Sequence, residues 1–167
     1  MREGAEIRPE APGDRAAVRL VIERAFGQAA EAGLVDALRT DGDLVLSLLA
    51  IAGEPFGHVA FSRLTLAGST ARASALAPLA VVPSAQRSGI GTALVRESLR
   101  RLAQAGEDLV LVLGEPAYYG RFGFTPEAAA DLRTPYDGPY LQALALTGAG
   151  RAASGPVRYA RAFSDLA

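Results

Sequence analysis

The sequence contains no cysteine and no lysine, and its single histidine is His58. Without cysteine there can be no disulfide, thiol nucleophile or thiolate metal ligand. Without lysine there is neither Schiff-base chemistry nor the phosphate-binding lysine of a Walker loop. One histidine excludes a zinc site built from several histidines. The groups that remain available for catalysis or binding are carboxylates, tyrosines, serines and backbone amides. We expect no metal ion.

The chain also lacks an excess of either charge and any long apolar run. Its 17 basic residues, all arginine, nearly balance 18 acidic ones, so we expect no nucleic acid as partner. Its apolar runs, such as 44–52 and 75–82, are shorter than the ~20 residues that a bilayer helix needs, so we expect no membrane. Residues 1–6 carry acids and no apolar stretch typical of a signal peptide, which predicts a cytoplasmic location.

The length of 167 residues, of which 50% are hydrophobic, predicts one domain over 1–167 with a sizeable core. The spacing of the apolar residues predicts its helices and strands. The helices are expected over 15–26, 30–39, 89–105 and 117–121. The strands are expected over 7–9, 44–52, 56–66, 72–82, 109–113, 140–146 and 157–162, with a flexible loop over 148–155.

Two details of this pattern define the fold class as α/β with a mixed sheet. Residues 109–113 are consecutive apolar residues after a helix, which predicts a buried strand parallel to the strand before that helix. Pro78 lies inside that earlier strand and cannot donate a ladder hydrogen bond. The strand is therefore expected to break or bulge at Pro78.

A polar loop with two glycines connects residue 82 to the third long helix. The start of a helix leaves backbone N–H groups without partners and carries partial positive charge. Gly89 and Gly91 let the backbone approach a ligand without a Cβ, and Arg87 adds a charge. These features predict an anion site for phosphate or pyrophosphate. For a bare Gly-x-Gly, a tight turn with close helix packing is an equally good interpretation.

The loop resembles a known motif. Residues 86–91, Gln-Arg-Ser-Gly-Ile-Gly, are similar to the Gln/Arg-x-x-Gly-x-Gly/Ala acyl-CoA motif of the GNAT superfamily of N-acetyltransferases. Residues 118–124, Tyr-Tyr-Gly-Arg-Phe-Gly-Phe, resemble the Tyr-x-x-x-Gly-Phe element of that family, and the order of elements is similar across most of the chain. The nearest likeness is to a bacterial subgroup of predicted acetyltransferases. The resemblance implies a GNAT fold, with a mostly antiparallel sheet and a central parallel strand pair that splays apart.

The resemblance also implies acetyl-CoA as co-substrate. In this family the pantetheine arm lies between the splayed strands, and the diphosphate lies at the helix start. The implied pantetheine contacts are the backbone groups of Leu79, Ala80 and Val81. The implied diphosphate contacts are the amides of Arg87, Ser88, Gly89, Gly91 and Thr92.

By the same resemblance, an amine attacks the thioester directly. A backbone N–H near Val81 would polarise the thioester carbonyl. Tyr119 matches the position of the general acid of the family and is favoured over Tyr118, although both can also be packing residues. Glu115 follows the buried strand, and a role as general base and one as a solvated loop acid are equally supported. His58 lies within an alternating strand and is expected to be structural rather than a base.

The acceptor is expected to be a small-molecule amine or a peptide amine. Residues 134–140 either cap the acceptor cleft or form a plain surface turn, and a homodimer is one expected assembly because loops and a partner subunit make this cleft in the family. The chain has no asparagine, so the Asn often found after the buried strand is missing, and Glu115 and Pro116 lie there instead.

Two other functions remain open. A catalytically silent acyl-CoA-binding or regulatory module on the same fold is the first alternative. A dinucleotide-binding oxidoreductase is the second and is disfavoured, because Leu94 stands where that fingerprint needs a third glycine or an alanine.

Overall fold

Eight strands and five helices form the part of the chain that the computed structural model describes, residues 4–165. The strands are β1 (Glu6–Pro9), β2 (Leu44–Ala52), β3 (Glu54–Leu66), β4 (Ala73–Val81), β5 (Leu109–Leu113), β6 (Leu132–Arg133), β7 (Leu141–Ala145) and β8 (Gly155–Arg158). The helices are α1 (Arg15–Phe26), α2 (Ala30–Asp41), α3 (Ile90–Gln104), α4 (Pro116–Tyr119) and α5 (Gly148–Ala152). No helix in this range has the length and apolar character needed to cross a bilayer.

The strands form one mixed sheet with the order β1-β2-β3-β4-β5-β7. All neighbours in this order are antiparallel except β4 and β5, which are parallel. At its far end, β3 also pairs with β8, which in turn pairs with β6. The predicted α/β class, the mostly antiparallel sheet and the central parallel pair are confirmed.

The parallel pair separates along its length. β4 and β5 pair from Ala73 opposite Leu109 as far as Leu76 opposite Val112. Beyond that point β4 continues to Val81, paired with β3 alone. One backbone edge of the last part of β4 therefore has no strand beside it among the described residues, and the predicted gap between two splayed strands is present.

A bulge marks the point of separation. Val59 pairs with Leu79 and Phe61 with Leu76, so two residues of β4 lie opposite one residue of β3. Pro78 is one of these two, and the peptide bond before it is cis. Because proline has no N–H to donate, a bulge at this position costs the ladder few hydrogen bonds. The bulge predicted at Pro78 is confirmed.

The sheet is covered by amphipathic helices. In α1, Val18, Val21 and Ile22 are buried at helical spacing, and they contribute to one core cluster. α3 adds Leu94 and Val95, both fully buried, to the same cluster. The apolar periodicity of both helices is thus satisfied by packing against the sheet, and α3 is held rigidly with its N-terminus beside the free edge of β4.

His58 on β3 is fully buried in a polar network. Ser47 donates to a carboxylate oxygen of Glu10 at 3.0 Å, and Arg39 donates two hydrogen bonds to the same carboxylate. Because the hydroxyl proton of Ser47 is used, His58 Nε2, 2.8 Å away, carries a proton and donates to Ser47 Oγ. Burial lowers the pKa of His58 to about 4, so the ring is neutral. A structural role fits this position, and a role as catalytic base does not.

A second buried charge, Glu107, anchors the start of β5. Its side chain is 1% exposed and accepts two hydrogen bonds from Arg63 and one from Arg72. Buried carboxylates are stable only when they are paired in this way. The network ties the loop before β5 to β3 and to the residue that precedes β4.

The C-terminal part differs from the sequence-based expectation. Residues 148–152 form α5 rather than a flexible loop, and the side chain of Thr147 caps this helix by accepting a hydrogen bond from the amide of Gly150. Gly150 also lies so close to the backbone of Asp108 that an added Cβ would collide with it. Here the glycine permits close packing. The last predicted strand, 157–162, begins earlier and ends at Arg158, and a 3-10 turn covers Arg161–Asp165.

Candidate active site

A cavity of about 590 Å³ lies between the N-terminus of α3 and the free edge of β4. Six of the eight residues expected to bind the cofactor line it: Leu79, Val81, Arg87, Gly89, Gly91 and Thr92. Gln86, Ile90, Tyr118 and Arg121 complete the lining. The structure therefore brings the predicted strand edge and the predicted glycine loop into one cavity.

The turn into α3 has a backbone conformation suited to an anion. Arg87 has φ of +64° and Gly89, the N-cap residue, has φ of +86°. The first hydrogen bond into the helix runs from the N–H of Ala93 to the carbonyl of Gly89 at 3.0 Å. The amides of Gly91 and Thr92 in the first turn thus have no intrahelical acceptor. Their partial positive charge lies beside the cavity.

The remaining two predicted cofactor residues, Ala80 and Ser88, do not line the cavity. Ala80 is fully buried with its side chain in the core, and Ser88 donates its hydroxyl to the carbonyl of Ala85. Gln86 donates from Nε2 to the carbonyl of Val81 at 3.0 Å, which fastens the loop to the end of β4. Sequence reasoning did not assign this link to Gln86.

Tyr118 and Arg121 form a wall of the cavity that sequence reasoning also missed. A Cβ added at Gly91 would lie 2.9 Å from the hydroxyl oxygen of Tyr118. The guanidinium carbon of Arg121 lies 4.4 Å from the centre of the Tyr118 ring, and Nη1 lies 3.4 Å from Thr92 Oγ1. The available signal is the aromatic, arginine-containing segment 118–124, in which sequence reasoning weighs Tyr118 only as an acid or a packing residue and assigns no role to Arg121.

Tyr119 lies on the other side of the same short helix. An added Cβ at Gly114, directly after β5, would collide with its ring, which also packs edge-to-face on Phe124 at 5.9 Å between centroids. Burial, with a smaller contribution from Tyr118, raises the pKa of Tyr119 to about 12. The phenol is therefore neutral at physiological pH, its ring lies against Gly114 at the end of β5, and Tyr119 is not among the lining residues of the large cavity.

Glu115 is an exposed residue at the start of α4. Its carbonyl accepts hydrogen bonds from the amides of Tyr118 and Tyr119, both at 3.0 Å. The backbone of Glu115 therefore orients both tyrosines, and its carboxylate lies one residue beyond Gly114.

The electrostatics of the cavity favour an anionic ligand. Arg87 and Arg121 line it, and none of its lining residues is acidic. Glycine-backed amides, two guanidinium groups and an apolar strand edge are together a fit for a diphosphate joined to a pantetheine arm. Within residues 4–165, no group of three His, Cys, Asp or Glu side chains could hold a metal ion.

Comparisons with known proteins point to the same ligand. The family model described as "Acetyltransferase (GNAT) domain" matches residues 57–126. The Escherichia coli protein named "Uncharacterized N-acetyltransferase YhbS" is 40% identical over 134 residues, which cover 79% of this chain and 80% of that protein. A second Escherichia coli relative, named N-acetyltransferase YjhQ, is 41% identical over 132 residues, or 76% of this chain and 71% of that protein.

Two solved structures extend the similarity over nearly the whole chain. The crystal structure of Escherichia coli YhbS in complex with CoA has a TM-score of 0.89 at 38% identity and covers 96% of this chain and 92% of that one. A GNAT family acetyltransferase from Brucella melitensis in complex with acetyl-CoA has a TM-score of 0.82 at 36% identity and covers 97% and 99%. Both relatives bind the coenzyme.

Proposed function

The chain belongs to the GNAT family of acetyltransferases, and from that premise we propose that it transfers the acetyl group of acetyl-CoA to a primary amine. The observation that carries the proposal is the 590 Å³ cavity, in which the start of α3 meets the unpaired edge of β4. The acceptor is a small-molecule or peptide amine.

The coenzyme is assigned to this cavity by its shape and charge. The amides of the loop and of the first turn of α3, including those of Gly89 and Gly91, would hold the diphosphate, assisted by the charge of Arg87. The backbone of 79–81 would bond the pantetheine amides, because that edge has no strand partner among the described residues. When bound, acetyl-CoA supplies a thioester whose carbonyl carbon bonds to the amine nitrogen while its bond to sulfur breaks.

Two groups of the chain would stabilise that exchange. A backbone N–H near Val81 donates to the carbonyl oxygen as negative charge develops on it. Tyr119 donates its phenolic proton to the departing sulfur and regains a proton from solvent. The position of Tyr119 beside Gly114, at the mouth of the strand gap, and its pKa of about 12 support this role, since the hydroxyl stays protonated at neutral pH.

The amine must lose its own proton. We assign this step to the carboxylate of Glu115, which is exposed one residue beyond Gly114 and can pass the proton to water. Replacing Glu115 with Gln is expected to shift the rise of kcat/KM to higher pH, because less of the amine is then deprotonated at neutral pH. An unchanged pH profile would remove Glu115 from the mechanism.

Coenzyme binding is tested by calorimetry with CoA. Gly91→Glu places a Cβ 2.9 Å from the Tyr118 hydroxyl and a negative charge at the diphosphate site, so Kd should rise at least about 100-fold, equivalent to about 2.7 kcal/mol. Gly13→Glu, at an exposed position with open space around it, is the matched control and should bind normally. Equal affinity of the two variants would refute this placement of the diphosphate.

Catalysis is tested by thiol release from acetyl-CoA across a panel of amines. Tyr119→Phe should lower kcat by about 100-fold or more while leaving Kd for CoA unchanged, since it removes only the proton donor. Tyr118→Phe should weaken CoA binding and lower kcat much less. Tight CoA binding without turnover of any amine would instead support a silent acyl-CoA-binding module.

A further inference from the structure

A second cavity, of about 250 Å³, lies where β4 and β5 separate. Its lining contains no charged side chain. The lining residues are Ala75, Leu76, Ala77, Leu111, Val112, Leu113, Tyr136, Tyr159 and Phe163. Strand residues that end the parallel pairing form its floor, and three aromatic residues from the C-terminal part of the chain form its wall.

The aromatic wall is a packed, ordered unit. The rings of Tyr136 and Tyr159 meet edge-to-face at 4.9 Å between centroids, and those of Tyr159 and Phe163 at 5.5 Å. Asp137 accepts hydrogen bonds from the backbone N–H and the hydroxyl of Thr134, which closes the turn that carries Tyr136. Edge-to-face contacts at these centroid distances are favourable, so the three rings stabilise one another in the wall.

The same three rings also line an adjoining cavity of about 440 Å³, whose lining extends to Arg158 and Ser164. The 250 Å³ cavity, called the inner cavity below, therefore shares its aromatic wall with the adjoining cavity, and Tyr136 in that wall is 37% exposed.

The inner cavity and the proposed coenzyme cavity lie along one strand. Ala75, Leu76 and Ala77 of β4 line the former, and Leu79 and Val81 line the latter. The bulge at Pro78 separates the two sets of residues. A thioester held along the free edge of β4 would thus have the apolar cavity as its neighbour at the strand gap.

We propose that the inner cavity binds the acceptor, and that the acceptor is a small primary monoamine on an uncharged aromatic or alkyl body. This rests on the proposed acetyl transfer. A second charge on the acceptor would have no charged partner among the lining residues, and burying an unpaired charge in an apolar site is unfavourable. The same environment favours the neutral amine over the ammonium, so binding assists the deprotonation that must precede attack.

The test compares acceptors of matched shape in acetyl-CoA turnover. Hexylamine and 1,6-diaminohexane have the same chain length and differ by a remote ammonium, and phenethylamine and phenylalanine differ by a carboxylate. We expect kcat/KM to be at least tenfold higher for the uncharged member of each pair. A preference for the charged member in both pairs would overturn the inference while leaving the proposed acetyl transfer intact.

Substitutions in the aromatic wall test whether the preference for uncharged acceptors arises at the inner cavity. Tyr136→Glu places a carboxylate in the wall of the inner cavity and should lower kcat/KM for hexylamine at least tenfold. The ratio of kcat/KM for hexylamine to that for 1,6-diaminohexane should also fall, to about 1 or below. Tyr140→Glu is the matched control, because Tyr140 is 56% exposed and is absent from the lining of both cavities. Kd for CoA should be unchanged in both variants. If Tyr136→Glu and Tyr140→Glu changed the preference for hexylamine over the diamine equally, the assignment of the acceptor to the inner cavity would be wrong.

A direct binding measurement tests the proposed amine site even if no amine is acetylated. Saturation-transfer NMR with the CoA-loaded protein should detect phenethylamine and lose the signal in Tyr136→Glu but not in Tyr140→Glu. Such binding without turnover would contradict the proposed acetyl transfer and support the apolar amine site. No binding of phenethylamine by the CoA-loaded protein would overturn the site itself.

Discussion

Lowering the pH should reduce the free energy of unfolding because of His58, and this effect should begin at a higher pH than the protonation of most carboxylates. Burial lowers the pKa of His58 from 6.5 to about 4, with Glu10 opposing and Arg39 reinforcing the shift. In the unfolded chain the ring takes up a proton at pH 6.5, whereas in the folded protein it stays neutral until about pH 4. The unfolded state therefore binds more protons in this window, and the free energy of unfolding falls as the pH falls through it.

The size of the effect follows from the two pKa values. A difference of about 2.5 pH units corresponds to a loss of about 3 kcal/mol by pH 4, after which the loss levels off. Between pH 7 and pH 5 the loss is already about 2 kcal/mol. This is a sizeable fraction of the 5–15 kcal/mol, roughly, by which domains are stable.

Urea unfolding at pH 7, 6 and 5 measures this loss. Because His58 is the only histidine, His58→Gln removes every imidazole from the chain while keeping a donor for Ser47. With a slope of about 2 kcal/mol per M urea, the midpoint of the native protein should fall by about 1 M from pH 7 to pH 5, and that of the variant should hardly move. Staying above pH 4.5 avoids the titration of Glu10: burial raises the pKa of this carboxyl, but the hydrogen bonds from Arg39 and Ser47 and the electrostatic interactions with Arg39 and His58 together hold it below its usual value. Parallel pH dependences would refute the buried, neutral ring.

Three further substitutions probe other parts of the structure. Glu107→Gln should lower the free energy of unfolding by about 1–3 kcal/mol in urea, because the amide removes the buried negative charge and one of the two oxygens that accept from Arg63 and Arg72, whereas Glu97→Gln on the surface of α3 should cost less than about 0.5 kcal/mol. Gly114→Ala should displace the ring of Tyr119 and so lower kcat more than it changes Kd for CoA in steady-state and calorimetric assays. Arg121→Gln should raise Kd for CoA about tenfold, the loss of one charged contact, and flatten its salt dependence; an unchanged salt slope would exclude Arg121 from the diphosphate site.

The parallel pair and the bulge could be predicted because their signals are local. Five apolar residues after a helix indicate a strand buried on both faces, and such strands are usually parallel to the one before the helix. Pro78 predicts the bulge, because a residue without an N–H cannot donate a ladder hydrogen bond in any sheet. The glycine loop is local in the same sense, since a turn, a helix start and an anion site all depend on the few residues from Arg87 to Gly91.

For residues 134–140 the sequence left two interpretations open, a cap on the acceptor cleft or a plain surface turn, and it did not predict the apolar cavity. Its floor comes from residues near 76 and 112, and its wall from Tyr136, Tyr159 and Phe163, so it exists only once the C-terminal segment is placed against the sheet. The turn 134–137 has the residues of an ordinary surface turn, and its hydrogen bonds are those of one. Only packing places Tyr136 in the wall of a cavity.

For the adjacent residues Tyr118 and Tyr119, the sequence motif does not determine what each side chain contacts. Adjacent residues on a helix point about 100° apart, so one short helix directs the two phenols to different places. The hydroxyl of Tyr118 lies against Gly91, and the ring of Tyr119 lies against Gly114. Each tyrosine therefore packs against a glycine from another part of the chain, Gly91 in the first turn of α3 and Gly114 directly after β5. Motif spacing favours Tyr119 as the candidate acid, but only these contacts show that the two phenols lie in different surroundings, with Tyr118 in the wall of the large cavity and Tyr119 outside it.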